Sequence, residues 1–223
     1  MQRLFDICFS FTALAFLSPI FIIIIMILKF TGEGEIFFVQ KRIGKNKNFI
    51  NLYKFATMLK NSPNMGTGTL TIGDDPRILP FGKFLRKTKI NELPQLFNVF
   101  IGDMSIIGPR PQTERCFNAF PTNSQNEIIK VKPGLSGIGS IIFRDEESMV
   151  NENADQFYDE VIMPYKGKVE EWYVREQNIL MYFKMIILTI IVVASSSLKT
   201  LKYFFHNLPK PPAELDQWLR EIR

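Results

Sequence analysis

One short stretch of the sequence contains the residue types that phosphate chemistry requires. It reads RKTKINELPQLFNVFIGDMSIIGPRP, begins with Arg86, contains Glu92, and ends in a triplet in which Pro109 and Pro111 flank Arg110. Because prolines restrict the backbone, the triplet predicts a rigid turn that fixes one guanidinium group. A carboxylate, guanidinium groups and a helix N-terminus together suit the binding of phosphate, through a divalent cation.

A helix is predicted to present Glu92. The spacing i, i+3, i+4 and i+7 of one apolar helix face is formed by Leu93, Leu96, Phe97 and Phe100. Pro94 is tolerated only in the first turn of a helix, so this helix should begin just before it. Asn91 is then the predicted N-cap, and Glu92 lies in the first turn. Asn91 and Glu92 can therefore be explained by a structural role at the helix N-terminus, and a catalytic role remains open as well.

The composition limits the classes of function. The 223 residues are enough for one catalytic domain with membrane-attached pieces. A net charge of +5 indicates an anionic partner, and nucleic acid, phospholipid head groups and a phosphorylated substrate all fit that charge. Cys8 and Cys116 have no metal-ligand spacing, and His206 is the only histidine. A zinc site and a Ser-His triad are therefore not expected.

The N-terminal 30 residues are predicted to enter a membrane. The apolar run from Leu4 to Leu28 is long enough to span a bilayer. However, Ser18 and Pro19 interrupt it, which predicts a kink, and basic residues flank it on both sides. Because basic flanks stay on the cytoplasmic side, we favour a re-entrant helix over a simple span. A cleaved signal peptide is discounted, because the run is too long and no cleavage site follows it.

The rest of the chain predicts an α+β fold. Two strands are indicated by EIFFVQKRIG and FINLYKFATM, with a turn between them. The stretch 61–75 reads as a loop, and the stretch 144–167 as an exposed acidic insertion. The apolar run after Lys184 is too short for a confident second crossing, so it predicts an interfacial helix. The predicted units are a membrane helix (1–30), a catalytic domain (31–178) and an interfacial helix with a tail (179–223).

At this point the sequence resembles a known family. The segments SPI, QKRIGKNKNFINLYKF, DDPRILPFGKFLRKTKINELPQLFNVFIGDMSIIGPRP and KVKPGLSG, in this order, are similar to the bacterial sugar transferases, the monotopic phosphoglycosyl transferases. The resemblance covers roughly 4–198. It implies an enzyme that moves a sugar 1-phosphate from a UDP-sugar to polyprenyl phosphate with Mg²⁺ and initiates glycan assembly. It also implies the bacterial inner (cytoplasmic) membrane, with the catalytic domain on the cytoplasmic side.

The resemblance implies particular site residues. The Ser18-Pro19 pair matches the membrane break, and Glu92 matches the glutamate of an Asp-Glu pair. The substrate-binding residues carried over are Arg86, Pro109, Arg110, Pro111, Arg144 and Lys54. The family has an aspartate as nucleophile and metal ligand where this chain has Asn91. An amide cannot form an acyl phosphate, so Glu92 is expected to act as nucleophile or general base, with Glu92 and Asn91 as tentative metal ligands.

Two functions from different classes therefore remain open. The first is the phosphoglycosyl transferase, with a UDP-sugar, polyprenyl phosphate and membrane lipids as partners. The alternative is a catalytically silent relative that serves as a membrane-bound binding or assembly subunit, because position 91 is asparagine. Oligomerisation is possible in either case. Nucleic-acid binding is not expected, because no recognisable module interleaves exposed aromatic residues with the basic ones.

Overall fold

The computed structural model describes residues 1–65, 75–144, 155–195, 204–205 and 207–216. It mixes helices and strands, as the α+β prediction requires. The helices are α1 (Gln2–Phe30), α2 (Pro80–Lys87), α3 (Gln95–Ile101), α4 (Glu114–Asn118), α5 (Thr122–Ile128), α6 (Ile138–Ile142), α7 (Asp155–Phe157), α8 (Met163–Glu176) and α9 (Ile179–Ser195). The strands are β1 (Phe37–Ile43), β2 (Phe49–Phe55), β3 (Ser105–Ile107) and β4 (Gly134–Ser136).

Helix α1 is apolar and continuous from end to end. Pro19 has no backbone N–H to donate to the carbonyl of Ala15, and the hydroxyl of Ser18 donates to that carbonyl instead, at 2.8 Å. The Ser-Pro pair is therefore compatible with an unbroken helix. Within the described part of the chain, α1 is the one helix whose length and hydropathy would allow it to cross a bilayer.

Both ends of α1 contact the rest of the domain. Near the N-terminus, the buried carboxylate of Asp6 accepts hydrogen bonds from the Ser105 hydroxyl, the Ile106 N–H and the Tyr182 hydroxyl, at 2.9 to 3.0 Å. Near the C-terminus, Ile24 and Leu28 are buried in a small core with Phe55 and Leu85. The middle of the helix is largely exposed; Phe16, for example, is 81% exposed.

Strands β1 and β2 form the predicted antiparallel hairpin, with Phe37 opposite Phe55 and Ile43 opposite Phe49. The intervening turn has Asn46 and Lys47 in the left-handed region. Because side chains alternate along a strand, one face of β1 carries Phe38, Gln40 and Arg42 together. A second, parallel pair joins β3 to β4, with Ser105 opposite Gly134 and Ile107 opposite Ser136.

The turn before α3 differs from the prediction. Lys89 adopts a left-handed conformation, a short 3₁₀ turn spans Ile90–Glu92, and α3 begins only at Gln95. Asn91 makes no capping hydrogen bond, so the predicted N-cap is wrong. The left-handed residue reverses the chain after α2 and leaves Asn91 inside the 3₁₀ turn.

The predicted apolar face of α3 is correct only in part. Leu96 is buried as expected, and Val99 is buried with it. Phe97 and Phe100 are 49% and 37% exposed. The ring of Phe100 lies 6.2 Å from that of Phe11 in α1. The helix is therefore rotated so that Leu96 and Val99, not the phenylalanines, face the core.

The stretch 144–167 is not simply an exposed insertion. Residues 145–154 lie outside the described residues, but the part from position 158 onward belongs to the main core. A π-helical turn at Tyr158–Ile162 leads into α8, and Tyr158, Ile162, Met163 and Tyr165 are buried. Most of the acidic residues that suggested exposure precede this core segment in the sequence, and within it Glu160 is exposed.

Helix α9 is packed on the same core. Tyr182, Met185, Leu188 and Val192 are buried within it, while Leu180, Ile187, Ile190 and Val193 are exposed. The helix therefore has one face in the protein core and another apolar face outside it. The predicted division into three units stays a prediction, although α8 and α9 share one core.

Candidate active site

A cavity of about 260 Å³ lies against the inner face of β1. Phe38, Gln40 and Arg42 of that strand line it, together with residues 54–60, Ser62, Pro63 and the turn that contains Glu92. Six basic side chains line the cavity: Arg42, Lys54, Lys60, Arg86, Lys89 and Arg110. Its acidic lining residues, within the described chain, are Glu35 and Glu92. The cavity is therefore a cationic site built around very few carboxylates.

The carboxylate of Glu92 sits between two of these cations. Its Oε1 lies 3.4 Å from Nη2 of Arg110 and 3.6 Å from Nζ of Lys54. Burial by itself raises the pKa of Glu92, but Arg110, Lys54 and Lys89 outweigh it and lower the pKa to about 2. Glu92 is therefore ionised at every physiological pH.

Burial also affects the basic residues. It lowers the pKa of Lys54 to about 8, although Glu92 raises it in part. Burial, followed by repulsion from Arg110, lowers the pKa of Arg42 to about 10. The side-chain oxygen of Gln40 accepts hydrogen bonds from Nε and Nη2 of Arg42. These cations crowd one another, so an added anion would relieve their repulsion.

The turn that carries Arg110 is held by its backbone. The N–H of Gly108 donates to the carbonyl of Ser136 at 2.9 Å, and the N–H of Gly134 donates to the carbonyl of Pro109 at 2.8 Å. A Cβ at Gly134 would lie 2.1 Å from the nitrogen of Gly108, so only glycine permits this approach. The turn that carries Pro109, Arg110 and Pro111 follows β3 and is thus hydrogen-bonded to β4.

Two buried amide side chains line the cavity, and each has one polar atom without a hydrogen-bond partner in the described part of the chain. Asn91 is 6% exposed and Gln112 is 5% exposed. Oδ1 of Asn91 and Nε2 of Gln112 have no hydrogen-bond partner in the described part of the chain. Because an unpaired buried polar atom is costly, such atoms in a cavity wall indicate places for a ligand or water.

The donor atoms fit Mg²⁺ only if a substrate contributes to its coordination. The described residues contain no group of three or more His, Cys, Asp or Glu that could hold a metal ion. Glu92 offers one carboxylate, and the unpaired Oδ1 of Asn91 offers a neutral oxygen. Mg²⁺ is commonly bound by one or two carboxylates, substrate phosphates and water. Glu92 and Asn91 meet that description only together with a bound diphosphate.

The structure brings most of the predicted site residues together. Arg86, Asn91, Glu92, Arg110 and Lys54 all line the cavity. Arg144 does not: its Nη1 donates to the carbonyl of Val192 near the end of α9, at 2.6 Å. A cation at a helix C-terminus stabilises the exposed carbonyls there. This placement gives Arg144 a role in holding α9 and does not support the expected substrate contact.

Sequence reasoning missed several residues of the cavity. Arg42, Gln112 and Tyr158 line it, and none of them was a candidate. Arg42 could have been found, because it alternates with Gln40 and Phe38 on the face of β1 that also faces Lys54. Tyr158 gave no usable signal, since it follows a long acidic stretch.

The sequence of this chain matches one protein family and several characterised proteins. The family model described as Bacterial sugar transferase matches residues 1–196. The exopolysaccharide production protein ExoY of Sinorhizobium fredii is 34% identical over 161 residues, which cover 66% of this chain and 71% of that protein.

Two longer relatives have more specific names. The UDP-glucose:undecaprenyl-phosphate glucose-1-phosphate transferase of Klebsiella pneumoniae is 37% identical over 63% of this chain and 30% of its own length. The UDP-N-acetylgalactosamine-undecaprenyl-phosphate N-acetylgalactosaminephosphotransferase of Aeromonas hydrophila is 35% identical over 64% of this chain and 34% of its own length. The chain therefore corresponds to about a third of these two proteins.

Proposed function

Because this chain belongs to the bacterial sugar transferase family, we propose that it transfers a sugar 1-phosphate from a UDP-sugar to polyprenyl phosphate and so initiates glycan assembly. The observation that carries the proposal is the cationic cavity around Glu92. The donor diphosphate and the acceptor phosphate are both anionic, and a partly desolvated set of cations binds such groups strongly. The names of the relatives from Klebsiella and Aeromonas describe this class of reaction.

Arg110, Arg86 and Lys54 are proposed to hold the donor diphosphate. All three line the cavity, and Arg110 and Lys54 flank the Glu92 carboxylate at 3.4 and 3.6 Å. A guanidinium can bind two phosphate oxygens at once through its planar fork, whereas a lysine supplies a single ammonium. A phosphate gripped by Arg110 and Lys54 would therefore lie next to Glu92.

Glu92 is proposed to carry the carboxylate chemistry. Its Oε oxygen forms a bond to the phosphorus that bears the sugar, the bond from that phosphorus to the bridging oxygen breaks, and UMP leaves with the bridging oxygen. Polyprenyl phosphate then attacks the same phosphorus, and the bond to Glu92 breaks. A pKa of about 2 suits an ionised nucleophile better than a general base, and a phosphate monoester with a second pKa of about 6 needs no base.

Magnesium is part of the proposal. When bound, it would neutralise charge on the diphosphate and polarise the phosphorus that is attacked. Glu92 and Asn91 are the residues of this chain that would contact it. Asn91 supplies a neutral oxygen, so the chain contributes one negative charge to such a site from these two residues.

A membrane location with both ends of α1 on one side is also proposed. Asp6 near one end and Leu28 near the other are both buried against the same domain, while the middle of the helix exposes large apolar side chains such as Phe16. A helix docked at both ends cannot place them on opposite faces of a bilayer. The contacts therefore support the re-entrant arrangement, and the basic residues on both flanks of the helix favour the cytoplasmic side of the inner membrane for the domain.

No relative supports the alternative of a catalytically silent subunit. The direct test is transfer of radiolabel from a panel of UDP-sugars to polyprenyl phosphate in membranes or detergent, with product measured in the organic phase. We expect label from at least one UDP-sugar to enter the lipid fraction, with release of UMP. An absence of transfer from every UDP-sugar, by protein that is folded and membrane-bound, would contradict the proposal.

A further inference from the structure

Glu170 is a fully buried carboxylate that lies behind Arg110. It belongs to α8, is 0% exposed, and does not line the cavity. Its Oε1 accepts a hydrogen bond from the backbone N–H of Arg110 at 3.0 Å. Glu170 thus contacts the backbone of Arg110, whereas the guanidinium of Arg110 contacts Glu92.

The sequence of the turn makes this hydrogen bond unusual. Pro109 and Pro111 have no backbone N–H, so the N–H of Arg110 is the one backbone donor that the Pro-Arg-Pro triplet has. That donor goes to the side chain of Glu170 and not to a backbone carbonyl. Gly108 and Pro109 make backbone hydrogen bonds before Arg110, and the carbonyl of Pro111 accepts one from Nη1 of Arg42 after it. Glu170 therefore fixes the orientation of the peptide unit that carries the guanidinium.

Gly139 in α6 leaves room for this carboxylate. A Cβ at position 139 would lie 2.2 Å from Oε1 of Glu170, which is far inside van der Waals contact. The backbone N–H of Gly139 also interacts with the carboxylate and favours its ionised form. The carboxylate is thus held between two backbone donors, one on α6 and one on the arginine turn.

The burial of Glu170 would be difficult to explain by packing alone. Burial raises its pKa to about 7, against the lowering effects of the Arg110 and Gly139 backbones and of the charges on Lys166 and Arg110. Oε2 has no hydrogen-bond partner in the described part of the chain. An apolar residue of similar size would avoid these costs. What it could not do is accept the N–H of Arg110.

We propose that Glu170 is a positioning residue that sets the geometry of the Arg110 guanidinium for donor binding. The inference rests on the proposed function, because it assigns Glu170 a role in the grip on the donor diphosphate. Glu170 touches neither the cavity nor Glu92, so it acts through Arg110. A guanidinium that binds two phosphate oxygens needs a fixed direction, and a shift of its backbone would degrade that grip.

Two substitutions of Glu170 separate the effect of side-chain length from the effect of charge. Glu170→Gln removes the charge but keeps an oxygen at the position that accepts the Arg110 N–H. Glu170→Asp keeps the charge but is one methylene shorter, so its oxygens retreat from that N–H. We expect Glu170→Asp to raise KM for the UDP-sugar on the order of ten- to a hundredfold, because a misplaced binding group has effects of this size. Glu170→Gln should change KM less than about threefold.

A double-mutant cycle with Arg110 tests the route of the effect. In an Arg110→Ala background the guanidinium is gone, so Glu170→Asp should then cause little further rise in KM. A purely structural role would instead give the same fold-change in both backgrounds. Glu171→Asp is the matched control: Glu171 is the next residue on α8 and contacts Ser124 and Arg175, so its KM should stay at the wild-type value.

Thermal unfolding of each variant is measured alongside the kinetics. The proposal predicts that the KM effect of Glu170→Asp exceeds that of Glu170→Gln and disappears without Arg110. It is overturned if Glu170→Gln is the more damaging variant, or if the effects of Glu170→Asp and Arg110→Ala multiply. If Glu170→Asp does not fold, the same comparison is made with Glu170→Gln and Gly139→Ala, which displaces the carboxylate. Wild-type protein that transfers no sugar would refute the proposed function itself, which distinguishes the two failures.

Discussion

Oε1 of Glu92 lies 3.4 Å from Nη2 of Arg110, so the cavity pairs its central carboxylate with the guanidinium that the Pro-Arg-Pro turn presents. The pair is partly buried, with 18% of the Glu92 side chain and 35% of the Arg110 side chain exposed. It holds Glu92 ionised, and Arg110 itself lines the cavity. The Glu92 carboxylate and the Arg110 guanidinium are thus already positioned next to each other before any substrate binds.

Arg110→Lys should impair transfer more than membrane association. Lysine keeps the positive charge but lacks the planar fork that binds two phosphate oxygens. We expect kcat/KM for the best UDP-sugar to fall by about 10- to 100-fold, the usual effect of losing a charged hydrogen bond. The measurement is initial rate against donor concentration, with membrane sedimentation as the control. An unchanged kcat/KM would show that Arg110 is structural.

Donor binding should weaken as the pH rises through the pKa of Lys54. Burial lowers that pKa to about 8, so Lys54 is a cation below pH 8 and becomes neutral above it. The cation binds phosphate and the neutral amine does not, so KM should rise up to about tenfold per pH unit above pH 8. Lys54→Arg should remove this rise, because a guanidinium stays protonated there. A KM that is flat between pH 7 and 9.5 in wild type would contradict the prediction.

Cysteines placed at the two ends of α1 should be labelled from the same side of the membrane. In a Cys8→Ala background, one variant carries a cysteine inserted after Met1 and another carries Thr31→Cys. An impermeant reagent should label both from the cytoplasmic side, because both ends of α1 dock on one domain. Phe16→Cys, at the exposed middle of the helix, should resist labelling until detergent is added. Labelling of the two ends from opposite sides would establish a simple transmembrane span.

Asn91→Asp should strengthen the response to Mg²⁺. The side chain of Asn91 makes no cap bond and its Oδ1 is unpaired, so the substitution should cost little structure while adding a second carboxylate beside Glu92. We expect the half-saturating Mg²⁺ concentration for transfer to fall by about tenfold. Asn118→Asp, on the exposed side of α4, is the control. Equal Mg²⁺ dependence in the wild type and Asn91→Asp would argue against a metal ligand at position 91.

Local signals in the sequence predicted the hairpin and the turn at Arg110, whereas Arg86 and Lys54 were assigned by resemblance. The stretches EIFFVQKRIG and FINLYKFATM, with a turn between them, predicted both strands, and the Pro-Arg-Pro triplet predicted the rigid turn at Arg110. The prediction of Asn91 as the N-cap of α3 was wrong, because α3 begins only at Gln95. Lys89 adopts a left-handed conformation before the 3₁₀ turn, and its residue type does not predict that conformation.

The remaining features depend on packing between distant segments. Glu170 and Glu171 are adjacent acids on one helix, yet Glu170 is fully buried and Glu171 pairs with Arg175. Gly139 and Arg110 both approach Glu170, on one side of α8. Arg144 was assigned to the substrate by resemblance, and that assignment stays a prediction; in the structure its Nη1 donates to the carbonyl of Val192 in α9.

The central claim is that Glu92 carries the chemistry although the preceding residue is an amide. The most direct measurement is the initial rate of sugar 1-phosphate transfer by Glu92→Gln relative to wild type, with the best UDP-sugar and with both proteins folded to the same extent. The account predicts a loss on the order of 10²- to 10⁴-fold, because glutamine keeps the size of the side chain but has no anionic oxygen. A Glu92→Gln protein that transfers sugar at the wild-type rate would contradict the account.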